Sequence, residues 1–272
     1  MRARVGNVAG EVGLLLLALV FLAPLLVGIN LALRAPGLTT SYDALTTHPV
    51  LSEFTAAWRQ AGMGSAILTS LLITGSSVLG VLVFAGLGAY PLARSTARWS
   101  KVTFGAFATG LLLPFQLALV PLFETMRSAH LLGTPWSVVI YEIAVNLPAA
   151  VFILTGFLRG VPVEYEEAAA LDGAGPFGTW WRVLVPLMLP AFGTVAIIVA
   201  VIVWNDFLTP LLFLSGAASQ TAPLAVYTFA GQLAQNYPLI FASLFIAISP
   251  LLIFFVVMQR HVIRGFAGGL KG

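Results

Sequence analysis

The stretch Leu187-Met-Leu-Pro-Ala-Phe-Gly-Thr-Val-Ala-Ile-Ile-Val-Ala-Val-Ile-Val-Trp204-Asn205-Asp206-Phe-Leu-Thr-Pro-Leu-Leu-Phe213 is apolar almost throughout. A helix crosses a hydrocarbon core about 30 Å thick with about 20 such residues, and this run has enough. Five similar stretches surround it, at 11–33, 65–90, 102–123, 137–158 and 239–258. A segment in lipid must satisfy its own backbone hydrogen bonds, and these runs lack the alternation of barrel strands, so they read as helices. The predicted fold is all-α, a polytopic integral membrane protein with six transmembrane helices in a single membrane domain over 1–272.

Composition agrees. At 59% hydrophobic and 8% charged residues, the chain has too little polar surface to cover a soluble globule of its size. No cysteine is present, which removes disulfides, thiolate metal sites and cysteine nucleophiles. The net charge of +3 is small and its carriers scattered, which argues against a nucleic-acid partner. Charge reports topology instead. With both ends on the cytoplasmic side, Arg2, Arg4, Arg94, Arg98, Lys101, Arg159, Arg182, Arg260, Arg264 and Lys271 lie inside, and only Arg34, Arg59 and Arg127 outside. That bias is the positive-inside pattern. Arg2 and Arg4 precede an apolar run with no clear small-x-small cleavage site, so 11–33 reads as a retained span. Outside the spans, Ser52-Glu53-Phe54-Thr-Ala-Ala-Trp58 reads either as a short interfacial helix or as a plain connector. Segment 214–238 reads as an outward loop with a turn at Thr221-Ala-Pro-Leu224.

The carboxylates are concentrated in one place. Glu164, Glu166, Glu167 and Asp172 fall within the segment 159–186, which the basic count places in the cytoplasm. Pro162 suits a first helical position, and the acids that follow complement a helix N-terminus. Ala168 to Leu171 are strong helix formers. Gly173 and Gly175-Pro176 then stop the helix, and a second short helix is expected through Trp180, Trp181 and Arg182 to Pro186. Small residues at Ala168 and Ala169 would let another backbone approach closely, and Gly173 permits a chain reversal.

Inside the spans, polar groups are costly and tend to face a bundle interior or water. Glu142 and Asn146 share one helical face at i, i+4, and Gln116, Asn205 and Asp206 reach a similar, outer depth from two other spans. Carboxylates and amides there would suit a hydroxyl-rich solute, with Trp204 or Phe115 to stack on its apolar face. The alternatives are a kink or interhelical bond at Asn205-Asp206 beside Pro210, and a Glu142 merely solvated near headgroups. His48, His130 and His261 are far apart, with no metal-ligand spacing and no phosphate-binding Gly-x-x-x-x-Gly-Lys pattern anywhere. No metal, cofactor or nucleotide site is therefore expected on this chain.

The order Glu167-Ala168-Ala169, three residues, Gly173, nine residues, Val183-x-Val185-Pro186 resembles the "EAA" loop of permease subunits in binding-protein-dependent ABC importers. Trp204-Asn205-Asp206-Phe207, Leu113-Pro-Phe-Gln116 to Pro121, and the tail from Gln259-Arg260-His261 through Arg264-Gly265 to Gly272 look like the maltose-type carbohydrate importers, specifically the shorter permease of the pair. The similarity covers about 65–272, with a cytoplasmic tail at 259–272. Val183 and Val185 stand for the commoner Ile and Leu, and Phe266-Ala-Gly-Gly-Leu departs from the usual ending. The resemblance implies a type I ABC importer permease fold and a transport subunit rather than an enzyme. It implies Glu166, Glu167, Ala168, Ala169, Asp172 and Gly173 as ATPase-coupling positions and Gln116, Glu142, Asn146, Trp204, Asn205 and Asp206 along the substrate pathway. The implied partners are a second homologous permease, two ABC ATPase subunits that use ATP and Mg, an extracytoplasmic solute-binding protein, a sugar and membrane lipid. The implied location is the bacterial inner membrane. Rival readings are a stand-alone secondary carrier, an intramembrane enzyme using Glu142 or Asp206, and import of another polar solute such as a glycerol phosphate.

Overall fold

In the computed structural model, residues 2–35, 45–46, 48–114, 116–216, 219–232 and 236–269 are described, with side chains from 10 to 257 except that of Gln232. The described elements are helical, in the order α1 (Arg2–Ala32), α2 (Ser52–Gln60), α3 (Met63–Arg94), α4 (Arg98–Gly110), α5 (Gln116–Ser128), α6 (Pro135–Arg159), α7 (Glu164–Leu171), α8 (Pro176–Thr179), a π-turn at Trp180–Leu184, α9 (Val185–Asn205), α10 (Leu208–Phe213), α11 (Ala222–Gln232) and α12 (Tyr237–Gly269). Five helices are long and apolar enough to cross a membrane: Gly10–Ala32, Met63–Arg94, Pro135–Arg159, Pro176–Asn205 and Tyr237–Val257. The chain is a multi-pass membrane protein.

The third expected span, 102–123, divides into α4 and α5, each of 13 residues. The fifth, 187–213, breaks after Asn205 and resumes as α10. A proline follows each break: Pro114 comes four residues after Gly110, the last of α4, and Pro210 comes four after Asp206, the residue that follows α9. Proline cannot donate to the carbonyl four residues back, and its ring crowds that carbonyl. At Asp206 the backbone turns extended (ψ 127°) and the side chain restarts the helix: Oδ1 accepts from the backbone N–H of Leu208 at 3.1 Å and of Thr209 at 3.4 Å. α5 also ends sharply. His130 takes a left-handed φ of 56°, and Leu131 N–H bonds back to Met126 O at 2.9 Å.

The chain packs as two compact units, Met1–Ala66 with Ala222–Pro250 and Ile67–Thr221 with Leu251–Gly272. In the first, Ala32, Ala57, Phe229, Leu239 and Ala242 are buried together, and a Cβ on Gly28 would stand 3.3 Å from the Phe241 ring. The segment Ser52–Trp58 is helical, burying Glu53 and Ala57 while Trp58 stays half exposed. The expected outward loop 214–238 contains a helix instead: Pro223 sits in the first turn of α11, where its missing N–H costs nothing, and Ala222, Leu224, Ala225 and Phe229 bury one side. Composition suggested a loop because the flanking Ser, Gln and Gly diluted this apolar pattern.

The second unit is built around α6, against which α4, α5, α9 and α10 pack. Its core holds Tyr141, Leu154, Leu158, Leu184, Met188 and Phe213, each nearly inaccessible to solvent. Tyr141 and Phe213 meet edge to face, their ring centroids 5.4 Å apart.

Candidate coupling surface and buried acid cluster

The loop between α6 and α9 begins with Pro162, just outside the helix; Val163 is the cap residue, already helical at φ −68°, and its carbonyl accepts from Glu166 N–H and Glu167 N–H. The expected helix start is thus shifted by a residue or two. Its end follows the glycine logic. Gly173 has φ 80°, Ala174 N–H bonds to Ala169 O at 2.9 Å and Gly173 N–H to Ala170 O at 3.0 Å, the paired bonds of a Schellman ending. The expected second short helix does not stand alone. From Pro176 it continues through the π-turn into α9, with Pro186 in the first turn of α9 rather than at a stop.

α7 has two faces. Glu164, Glu167, Ala168, Ala170, Leu171, Asp172 and Gly173 are exposed, while Ala169 is buried and Glu166 points back into the chain. Of the six residues expected to contact a partner, Glu167, Ala168, Asp172 and Gly173 are therefore outward and Glu166 and Ala169 inward. Beside α7 lies an open groove of about 410 Å³ lined by Tyr165, Ala168, Ala169, Asp172, Arg182 and Val183 among others. Leu171, at 90% exposure, and Phe177, at 76%, stand on the same loop with half-exposed Tyr165 and exposed Trp181. Large apolar side chains so placed are available to a protein partner or to the membrane surface. Sequence reading missed them because it followed the acids and small residues. The available signal was Leu171 closing a helix whose other apolar positions are alanines.

Within the span bundle, Glu142, Asn146 and Asp206 come together. Asn146 Nδ2 donates to Glu142 O at 2.8 Å and to Glu142 Oε2 at 3.0 Å, and the Glu142 carboxyl faces that of Asp206. Tyr141 and Thr209 complete the group, their side chains hydrogen-bonded to each other. Glu142 is only 3% exposed. Asp206 Oδ1 caps α10, but its buried Oδ2 meets no donor of regular hydrogen-bond geometry among the described residues. Trp204 is buried, whereas Asn205 is exposed and donates back to Val201 O at 2.8 Å, and Gln116 is exposed at the start of α5. The structure thus gathers three of the six expected pathway residues and leaves Gln116, Trp204 and Asn205 outside the group. Phe115 lies outside the described residues. Among the described residues, no three His, Cys, Asp or Glu side chains are placed to hold a metal.

A helical bundle with an exposed, capped hairpin between two spans and a polar group sealed in its interior is the architecture of a membrane transport subunit. Residues 12–268 match the family described as binding-protein-dependent transport system inner membrane component, and the chain belongs to that family. It is 31% identical over 251 residues to the melibiose/raffinose/stachyose import permease protein MelC of Bacillus subtilis, covering 92% of this chain and 91% of that one. It is 32% identical over 212 residues to the multiple sugar-binding transport system permease protein MsmG of Streptococcus mutans, covering 76% of each. The fold is that of a solved bacterial ABC transporter involved in the import of the acidic polysaccharide alginate, with a TM-score of 0.79, 22% identity, and coverage of 94% of this chain and 96% of that chain. The type I permease fold follows, and the chain is a transport subunit whose ATPase resides on a separate protein.

Proposed function

We propose that this chain is one of two permeases in an ATP-driven importer of sugars or oligosaccharides in a bacterial inner membrane, with both termini cytoplasmic. The observation that carries the reading is the exposed loop around α7, where Leu171, Tyr165 and Phe177 stand out to solvent and a groove is lined by Tyr165, Ala168, Ala169 and Ala174. Two separate ATPase subunits, hydrolysing ATP with Mg, are the partners for that face and its counterpart on the second permease. A solute-binding protein delivers substrate to the opposite side. ATP binding biases the bundle because the docked contacts differ in strength between its two conformations. The sugar assignment rests on the relatives, whose names specify melibiose, raffinose and stachyose or multiple sugars.

The acid cluster supports a place on the solute route. A buried carboxylate oxygen without a well-aligned donor is costly, and among the described residues Asp206 Oδ2 meets no donor of regular geometry, although the Glu142 carboxyl faces it. A sugar hydroxyl would supply the missing donor once the bundle opens. Exposed Gln116 and Asn205 and buried Trp204, which stand outside the cluster, are weaker members of this route.

The assembled complex in proteoliposomes tests the reading. Uptake of sugar should require binding protein outside and hydrolysable ATP at the ATPase. Uptake driven by an ion gradient without ATP would instead mark a secondary carrier.

A further inference from the structure

Glu166 is the one acid of α7 that turns inward, and both of its oxygens are taken. Arg94 Nε donates to Oε1 at 2.6 Å, and Tyr90 Oη donates to Oε2 at 3.0 Å. Tyr90 and Arg94 stand one turn apart on the last turns of α3, so they project from one face. The pair is largely shielded, with side-chain exposures of 17% for Arg94 and 14% for Glu166. A charge-assisted contact so placed is shorter and stronger than a neutral one and is weakly screened.

The same two residues of α3 hold the loop at both of its arms. The Arg94 guanidinium also donates to Val161 O at 2.9 Å, just before α7. The Tyr90 ring lies 5.6 Å from that of Trp180, in the π-turn after α7. α6 is tied to the same end of α3, through Arg159 donating to Leu92 O at 3.3 Å while its guanidinium rests 4.3 Å over the Phe104 ring.

We propose that Glu166, clasped by Arg94 and Tyr90, is a positioning residue that makes α3 move as one body with α7. This rests on the reading that the exposed face of α7 docks an ATPase subunit. Covalent continuity connects α7 only to α6 and α9. The end of α3 lies far earlier in sequence and joins them through these bonds, in which Arg94 and Glu166 are 72 positions apart. Without the clasp, no bond among the described residues would join α7 itself to α3, and a displacement of α7 would reach α3 only indirectly, through the Arg94–Val161 and Arg159–Leu92 bonds at the flanks and the ring contact of Tyr90 with Trp180. Glu166 thus transmits within the chain, and the outward residues receive the partner.

The test uses the full complex of this chain with its partner permease and ATPase in nanodiscs, with spin labels on cysteines replacing exposed Thr96, just after α3, and exposed Glu164. The chain has no native cysteine to interfere. Nucleotide-free and Mg-ATP-vanadate states should give the same single narrow distance peak. Glu166→Gln and, separately, Tyr90→Phe should lose that peak or shift it between states while the ATPase still co-purifies. The exchange of Arg94→Glu with Glu166→Arg should restore it, which a loss of general stability would not. A Glu166→Gln complex with the wild-type peak in both states overturns the clasp, as does a wild-type peak that itself shifts. Loss of the ATPase from Glu166→Gln alone would also overturn it, by making Glu166 a docking residue. Failure of the ATPase to co-purify with the unsubstituted chain would count against the docking reading instead.

Discussion

Ile143 of α6 fills the space that a Cβ on Gly80 of α3 would need: its Cδ1 would collide with that atom, and its Cγ1 would stand 2.9 Å away. Membrane helices approach this closely where one lacks a side chain. Gly80→Val should cost about 1–3 kcal/mol by overpacking, seen as a lower Tm of the purified complex. At Gly75, on the same helix, an added Cβ meets nothing within 4 Å. There Gly75→Ala should be neutral or stabilising by up to about 1 kcal/mol. Equal Tm values for Gly80→Val and the unsubstituted protein would contradict the close approach.

Gly173 is a different kind of glycine. Nothing lies within 4 Å of a Cβ placed there, so only its φ of 80° constrains it. Gly173→Val should strain the end of α7 by about 1–2 kcal/mol and reduce ATPase co-purification, while Gly173→Asn, which tolerates the left-handed region, should stay near normal. Equal retention of the ATPase by both variants would argue against a backbone cause.

Asp206→Asn keeps an acceptor for the α10 cap but removes the charge. If the acid cluster contacts solute, uptake per assembled complex should fall about ten- to hundred-fold, the equivalent of about 1.5–3 kcal/mol for a charge-assisted bond. Glu142→Gln should lower uptake per complex in the same direction. A scaffold role would lower complex yield and leave uptake per complex unchanged.

Glu53 in α2 lies outside the candidate spans, and burial raises its pKa above the ordinary carboxylate value despite a hydrogen bond with Ser52 that pulls the other way. The folded chain therefore keeps that proton to higher pH than the unfolded chain. Its contribution is fully present below the ordinary carboxylate pKa and is lost as pH rises through the raised one. The Tm advantage of Glu53→Gln should grow as pH rises from about 4 towards 7, levelling off once the folded carboxyl has ionised. An advantage independent of pH would remove Glu53 from the account.

The spans and the hairpin between α6 and α9 were legible because apolar run length and the Pro, Ala and Gly positions act locally. The breaks were not. Pro114 and Pro210 follow the interruptions after Gly110 and Asn205, while Pro148 and Pro190 sit inside unbroken helices. What differs is local support, such as the cap that Asp206 offers α10, and a proline alone does not reveal it. The pairing of Glu142 with Asn146 followed from helical spacing, but bringing Asp206 to them needed the packing of α9 and α10 on α6. Glu166 looked like its neighbours in sequence. Only the approach of Arg94 and Tyr90 from α3 separates it from Glu167.

If an ATPase subunit docks on α7, a short photo-cross-linker on a cysteine at exposed Ala170 will capture it. In the native complex the account predicts an adduct between this chain and the ATPase from Ala170→Cys and none from a matched cysteine at Ser219, in the segment that the basic count places outside. No ATPase adduct from Ala170→Cys, or one from Ser219→Cys instead, would contradict it.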